Sequence, residues 1–467
     1  MKIVINIAEL NKEYIYESRE SVSLVEVMEA LGLRFYRPCG GKGNCENCQV
    51  IINGVPTLGC KAIIKEDSTV EIPVRLTGQI EVPKENYETT DLDTVAVDIG
   101  TTTISVCYGN LISSVANSQI GYGSDVVSRI QSAMEDEDTA SKMYNMVRAD
   151  MAKAMEQIGA SEAHRIIVAA NTTMGHLLMG YPVDGLAAYP FTPHNLALET
   201  LKWEQREIII MPGISAYVGA DLVAGAYALD MIESNKITLL LDMGTNAEIL
   251  LWDGNKLWVT SAAAGPALEG GNISCGMPSV AGAISHVFMD DNGKISYETI
   301  AGAPPAGLCG SGVIDMVACL KEHKLIDEGG LFTDDSYMGN KGYPVTDSVY
   351  FSQEDVQQVL LAKSAIYSGL KVLCKVAGVK LSGVNRMYVA GGLGASVSVK
   401  GAAAIGLIPP ELVGCYEAVG NTSLKGAIKY SRQKNTAALE NIISKATVID
   451  LGNSDEFQNM FLESLTI

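Results

Sequence analysis

The sequence predicts an α/β chain of two unlike parts. One is a small strand-rich unit built around four cysteines, and the other is a larger unit in which strands and helices alternate. Three observations predict this. Four cysteines stand at Cys39, Cys45, Cys48 and Cys60, with the spacing C-x5-C-x2-C-x11-C. The pattern Asp-x-Gly-Thr occurs twice, at Asp98 and Asp242, each time at the end of an apolar strand. Between the two parts runs a stretch rich in proline, threonine and acid that has no hydrophobic periodicity.

The first part covers residues 1–76. Short alternating segments (KIVINI, EYIYES, CQVIIN, STVEIPV) predict strands, and SLVEVMEALGL predicts one helix. This is the content of a β-grasp ferredoxin, with the cysteine loop after the helix. Thiolates are the ligands of iron–sulfur clusters, and a [2Fe–2S] centre takes four. Gly40, Gly41 and Gly43 let the loop fold closely and turn backbone N–H groups towards sulfur. Structural zinc and disulfides are the alternatives. Zinc favours paired C-x2-4-C knuckles, and only Cys45 and Cys48 form one. Disulfides suit exported chains, and the alternating, early-acidic start MKIVINIAEL does not read as a signal peptide. The spacing therefore predicts a [2Fe–2S] cluster on Cys39, Cys45, Cys48 and Cys60.

Residues 77–93 (TGQIEVPKENYETTDLD) read as a linker. A flexible chain of this length would average about 20 Å end to end, enough for the cluster unit to move between a donor and an acceptor.

From Thr94 the pattern changes to α/β and repeats. TVAVDIGTTTISVCYG (94–109) and ITLLLDMGTNAEILLW (237–252) share one design of buried strand, Asp-x-Gly-Thr turn and second strand. Such a turn can wrap nucleotide phosphates. Gly100 and Gly244 allow close backbone approach, while Thr101, Thr102, Thr245 and Asn246 supply donors. Asp98 and Asp242 would hold Mg2+ directly or through water. A third element, RMYVAGGLGAS (386–396), runs a buried strand into Gly391, Gly392 and Gly394, a platform on which an adenosine can lie close to the backbone. No G-x4-G-K-[ST] P-loop and no G-x-G-x-x-G Rossmann turn is present.

Together the three elements resemble the actin, Hsp70 and sugar-kinase (ASKHA) superfamily, which implies two ribonuclease-H-like subdomains closing over ATP·Mg. They would cover residues 94–236 and 237–467. A ferredoxin joined to such an ATPase resembles the reductive activators of corrinoid-dependent enzymes. The stretches that carry this closer resemblance are GSDVVSRI (123–130), NTTMGHLL (171–178), YVGADLVAG (217–225), DMGTNAEI (242–249), AAAGPALEGGNISCGM (262–277), GLCGSGVID (307–315) and AGGLGASVSVKGAAAIGLIP (390–409). The resemblance implies ATP-driven return of a corrinoid from Co(II) to Co(I) on a partner protein of a methyltransferase system. It also implies a low-potential electron donor and a homodimer. Larger members carry a longer linker and an extra small domain, whereas this chain passes almost directly from cluster unit to ATPase.

Several residues carry two readings. Asp221 opens an Ala-rich helix; it matches the placement of the base in related sugar kinases, where it would orient the attacking water, or it is a helix N-cap. Gly310, Ser311 and Gly312 precede a helix and suit either a phosphate or close packing. Thr172 and Thr173 stand at a strand end, where they line the cleft or are structural. Lys363 is either near the nucleotide or an exposed lysine on a helix capped by Ser352 and Asp355. The loop SAAAGPALEGG (261–271) fits the flat face of a macrocycle, with Ser261 offering an oxygen to cobalt, or it simply connects subdomains.

Three other readings use the same features. Activators of 2-hydroxyacyl-CoA dehydratases hold a [4Fe–4S] cluster between subunits, with cysteines in loops like those of Cys275 and Cys309. A small-molecule kinase with a redox-sensing appendage would need a substrate-hydroxyl pocket that the sequence does not display. An ATP-gated scaffold would use the ferredoxin unit only for docking.

Composition sets outer bounds. The formal charge of −20 argues against nucleic acid and anionic lipid as partners, because both demand a basic face. No uncharged apolar run reaches the length of a membrane span. Ten cysteines without an export signal point to a reducing cytoplasm.

Overall fold

Alternating burial in Lys2–Ile7, with Ile3, Ile5 and Ile7 turned inward, sets the first strand of a five-stranded sheet. The strands run in the order Lys12–Glu17, Lys2–Ile7, Ser68–Glu71, Gln49–Ile52, Val55–Leu58, and the two central strands are parallel. The helix Leu24–Ala30 begins with a capping box between Ser23 and Glu26 and buries Leu24, Val27 and Met28 against this sheet. A mixed sheet crossed by one helix is the expected β-grasp arrangement. The computed structural model describes residues 1–467 apart from 8–11, 34, 36–40, 42, 44–47, 74–75, 77–84, 86, 92 and 339–340.

Two six-stranded sheets follow. The first runs Leu111–Ala116, Thr103–Tyr108, Thr94–Ile99, Arg165–Ala170, Arg206–Ile210, Glu199–Trp203. The second runs Ala446–Val448, Leu257–Ala262, Ala247–Trp252, Thr238–Met243, Arg386–Ala390, Tyr416–Gly420. Each contains an antiparallel three-strand meander whose first strand then pairs in parallel with a strand from much later in the chain. Thr94–Ile99 and Thr238–Met243 are buried along almost their whole length, as central strands covered on both faces must be. Both carry their aspartate near the carboxyl end, where ligands bind in open α/β sheets.

Helices Ala220–Ala228 and Thr422–Gln433 pack directly on one another between the sheets. Gly426 makes this possible, since a Cβ there would lie 2.1 Å from the Ala224 carbonyl oxygen. Their amino ends bring Asp221, Asn421 and Ser423 to the same cleft as Asp98. Among the described residues no helix is long and apolar enough to cross a membrane.

The segment read as a linker is docked where it is described. Thr90 is buried and exchanges hydrogen bonds with Gly109, and Tyr87 packs against the core beneath the two paired helices.

Candidate active site

The first phosphate turn is held from behind. Asn117 Nδ2 donates to the Gly100 carbonyl at 2.9 Å, its backbone N–H donates to the Thr102 carbonyl at 3.0 Å, and Arg129 donates to the Thr101 carbonyl. Asn117 and Arg129 are both wholly buried. Because trans peptides point C=O and N–H in opposite directions, drawing the Gly100 and Thr101 carbonyls into the interior turns the amides of Thr101 and Thr102 the other way. Asn171 Nδ2 adds a 3.3 Å bond to the Thr101 hydroxyl. The Arg129 guanidinium also donates to the Gly123 carbonyl at 2.9 Å, and burial lowers its pKa to about 9.

Asp98 is held by both oxygens. Asn421 Nδ2 and Ser423 Oγ each donate at 2.7 Å, reaching it from the paired helix of the second half. Burial raises its pKa and these two donors lower it, with burial prevailing.

The second turn is more acidic. Asp242 pairs in register with Glu248, and Glu248 with Ser261, so one row of polar groups crosses three strands. Ser261 Oγ donates to Glu248 at 3.3 Å, and Thr245 Oγ1 donates to Glu269 at 3.1 Å. Burial, then Asp98 and Glu269, push Asp242 up to about 7. Burial first and Asp242 next push Asp221 up to about 8. Glu248 is driven well above the usual carboxylate range by burial and by Asp221 and Asp242. These carboxylates keep part of their surface open to the cleft, so a cation or a proton can reach them. Among the described residues no three are arranged to hold a metal ion by themselves. Asp98 and Asp242 would hold Mg2+, a cation that takes much of its coordination from water and phosphate oxygens.

Asp221 is not a helix N-cap. Gly219 occupies that position without a side-chain bond, and Asp221 lies in the first turn, accepting from Leu222 N–H at 2.8 Å. The glycine platform adjoins the same turn: Gly391 has φ +85° and an added Cβ would lie 3.0 Å from Asp242 Oδ1. Gly394 packs on Val389, whereas nothing lies within 4 Å of the missing Gly392 side chain, which leaves that face open to a ligand.

Gly310, Ser311 and Gly312 are committed to packing. Added Cβ atoms on the two glycines would lie 1.8 Å and 2.2 Å from the Leu268 and Ile284 carbonyl oxygens, and Ser311 donates to Ser285 O at 2.8 Å. Thr172 donates to Ser215 O at 2.7 Å, and Thr173 is buried. Lys363 is not exposed: it is buried, donates to the Thr466 carbonyl, and burial lowers its pKa to about 8. The loop after Ser261 faces the second phosphate turn through Glu269, and Ser261 itself is engaged by Glu248. A small cavity of about 30 Å3 opens beside Asn171, but its polar groups are mutually satisfied through Tyr181, Asn195 and Glu199.

Cys39 and Cys45 lie outside the described residues. Cys48 is buried, and its sulfur accepts a 3.4 Å hydrogen bond from the Cys60 N–H. The Cys60 backbone, eleven residues further on in the spacer, is thus brought to the Cys48 sulfur as a donor, which fits a thiolate that ligates a cluster. Cys309 is buried, in a small apolar cluster with Met277, Val280 and Ala283 against Ile7 of the N-terminal unit, a setting unlike that of an exposed inter-subunit ligand.

Sequence reading missed Arg129, Asn171, Glu248, Glu269, Asn421 and Ser423. Glu248 was legible once the hairpin register was assumed. The N-cap pattern Asn421-Thr422-Ser423 marked a helix start, though nothing local tied it to Asp98.

Two family descriptions match the chain: the RACo middle region over residues 94–234, and the C-terminal, ASKHA domain of RACo over residues 236–467. The corrinoid activation enzyme RamQ of Eubacterium limosum is 31% identical over 412 residues, 79% of this chain and 69% of the relative. The Co(II) methylated amine-specific corrinoid protein reductase of Methanosarcina barkeri is 28% identical over 286 residues, and the match spans 56% of this chain and 51% of that protein. The solved structure of a reductive activator for a corrinoid, iron–sulfur protein superposes over 100% of this chain and 98% of its own, with a TM-score of 0.72 and 25% identity. With these matches over the same halves that carry the two phosphate turns, the chain belongs to the RACo family of reductive activators.

Proposed function

We propose that the protein is an ATP-dependent reductive activator that delivers single electrons to the Co(II) centre of a corrinoid protein, giving Co(I) and returning a methyltransferase system to its active form. The observation that carries this reading is that both Asp-x-Gly-Thr turns, the glycine platform and Asp221 face one cleft in a chain whose N-terminal unit brings Cys48 and Cys60 together. Cys39, Cys45, Cys48 and Cys60 would hold a [2Fe–2S] cluster, which when bound supplies one electron at a time at low potential.

The remaining work belongs to the chain's own residues. The amides of Thr101 and Thr102 and those of the Thr245–Asn246 turn donate to phosphate oxygens. Asp98 and Asp242 orient the waters or the Mg2+ that accompany ATP, and Gly392 leaves room for the adenosine. Asp221, with a pKa close to neutrality, is suited to take a proton from the attacking water. One electron enters from a low-potential donor and one leaves to cobalt, while ATP contributes none. Its role is to shift the population of a closed form that binds the corrinoid partner in a state easier to reduce. A coupling of about 1–3 kcal/mol is worth roughly 40–130 mV for a one-electron couple.

The test is Co(I) absorbance in a mixture of protein, Co(II) corrinoid protein, reductant and Mg·ATP. The band should require ATP, vanish in Asp242→Ala while the cluster spectrum persists, and vanish together with that spectrum in Cys48→Ser. Iron should be about two per chain for a [2Fe–2S] centre. Full Co(I) formation by Asp242→Ala would remove ATP from the driving role.

A further inference from the structure

The segment that ties the N-terminal unit to the ATPase ends in a built anion site next to Asp98. The Glu85 carboxylate accepts the Asn421 N–H at 3.1 and 3.3 Å and pairs with Lys425 Nζ at 2.9 Å. Its side chain is only 13% exposed. Asn421 is the N-cap of helix Thr422–Gln433, its Oδ1 accepting from Leu424 N–H at 2.8 Å, and its Nδ2 is the 2.7 Å donor to Asp98. One residue therefore joins the tether, the helix end and the phosphate-site carboxylate. The docking continues beyond Glu85. Tyr87 packs under Lys425, whose Nζ stands 5.5 Å from the ring centroid, Glu88 pairs with Arg432, and Asp91 meets Lys434 at 3.3 Å and Ser431 through its N–H.

We infer that Glu85 is a positioning residue for the nucleotide site, and that tether docking and Mg·ATP binding are thermodynamically coupled through Asn421. The inference rests on the ATP-binding reading above. When the tether is docked, Asn421 has its backbone donor satisfied and its side chain fixed between Leu424 and Asp98. When it is undocked, the cap loses an acceptor and Asp98 loses the rigidity of one of its two donors. A ligand that needs Asp98 in place binds the docked form better, and by reciprocity it must tighten docking to the same degree. Release of residues 85–93 would add nine residues to the covalent connection between the units, about 30 Å at full extension. ATP would thereby set how far the cluster unit can travel once its Ile7 contact with Met277 and Cys309 is released.

The experiment uses the full-length protein with and without saturating Mg2+ and a non-hydrolysable ATP analogue. It reads analogue affinity together with hydrogen exchange at Thr90 and Asp91. In the wild type the analogue should slow exchange at both amides about five-fold or more, the lower end of ordinary coupling factors. Glu85→Ala should raise the analogue Kd by a similar factor, speed exchange, and abolish the nucleotide effect on it. Glu85→Gln, which keeps an acceptor for Asn421 but loses the charge facing Lys425, should fall between. Exchange at Thr90 and Asp91 that ignores the analogue, or a Glu85→Ala Kd within two-fold of wild type, would overturn the coupling while leaving ATP binding intact. A wild type that does not bind the analogue would overturn the ATP reading itself.

Discussion

The two Asp-x-Gly-Thr hairpins share a sequence design but sit in opposite electrostatic settings. In the first, Asp98 receives two 2.7 Å hydrogen bonds and its cross-strand neighbour is Ser105, which bonds Ser114. Its turn is braced from behind by Asn117 and Arg129. In the second, Asp242 has no side-chain donor among the described residues, its cross-strand neighbour is Glu248, and the Thr245 hydroxyl is tied to Glu269. The first hairpin is complete without a ligand. The second is an accumulation of negative charge that a cation would relieve. A repeated motif has thus become a rigid anchor on one side and a site that gains most from Mg2+ on the other.

The largest effect should come from removing the second aspartate. Asp242→Ala is expected to cut ATP-dependent Co(I) formation by about 10²–10³, the range for losing one group that stabilises developing charge. Thermal stability should be unchanged or slightly raised, because the substitution removes a crowded charge. A clear loss of Tm in Asp242→Ala would break the contrast between the hairpins.

Arg129→Leu should cost about 3–5 kcal/mol in a denaturant titration. It leaves the Gly123 and Thr101 carbonyls without donors around a wholly buried position, and each buried acceptor left unpaired costs about 1–3 kcal/mol. A loss below about 1 kcal/mol would show that the first turn does not depend on its brace.

Asp98→Ala should also abolish ATP-driven reduction, but unlike Asp242→Ala it should cost stability, about 1–3 kcal/mol, because Asn421 and Ser423 lose their acceptor. Equal stability of the two alanine variants would erase the distinction.

The smallest effect concerns pH. A carboxyl whose folded pKa exceeds its unfolded value holds a proton that the unfolded chain has released, so stability falls as pH rises between the two values. Asp221 at about 8 and Asp242 at about 7, against an ordinary 3.8, place that fall across neutrality. The nucleotide-free protein should melt a few degrees higher at pH 6 than at pH 8, and Mg·ATP should narrow the gap. Glu269→Gln removes one of the carboxylates that raise Asp242 and should shift the transition to lower pH. A Tm independent of pH from 6 to 8 would argue that the cluster is already neutralised.

What the sequence determined by itself is chemistry confined to a few adjacent residues. The cysteine spacing is written within 22 positions, and the Asp-x-Gly-Thr turns, the Gly391–Gly394 platform and the Ser352–Asp355 cap within a dozen or fewer, where local backbone geometry brings the groups together. The same locality explains why Gly310 and Gly312 were ambiguous: a glycine before a helix looks the same whether it meets a phosphate or, as here, the Leu268 and Ile284 carbonyls. Tertiary structure alone decided the partners. Asn421 reaches Asp98 across 323 positions and Glu85 across 336, and Lys363 is buried only because Thr466 returns to cover it. The linker composition showed no periodicity, yet Thr90 and Tyr87 are held by the larger unit. Such pairings depend on how two sheets and the helices between them stack, and burial then converts proximity into altered pKa values that no local pattern encodes.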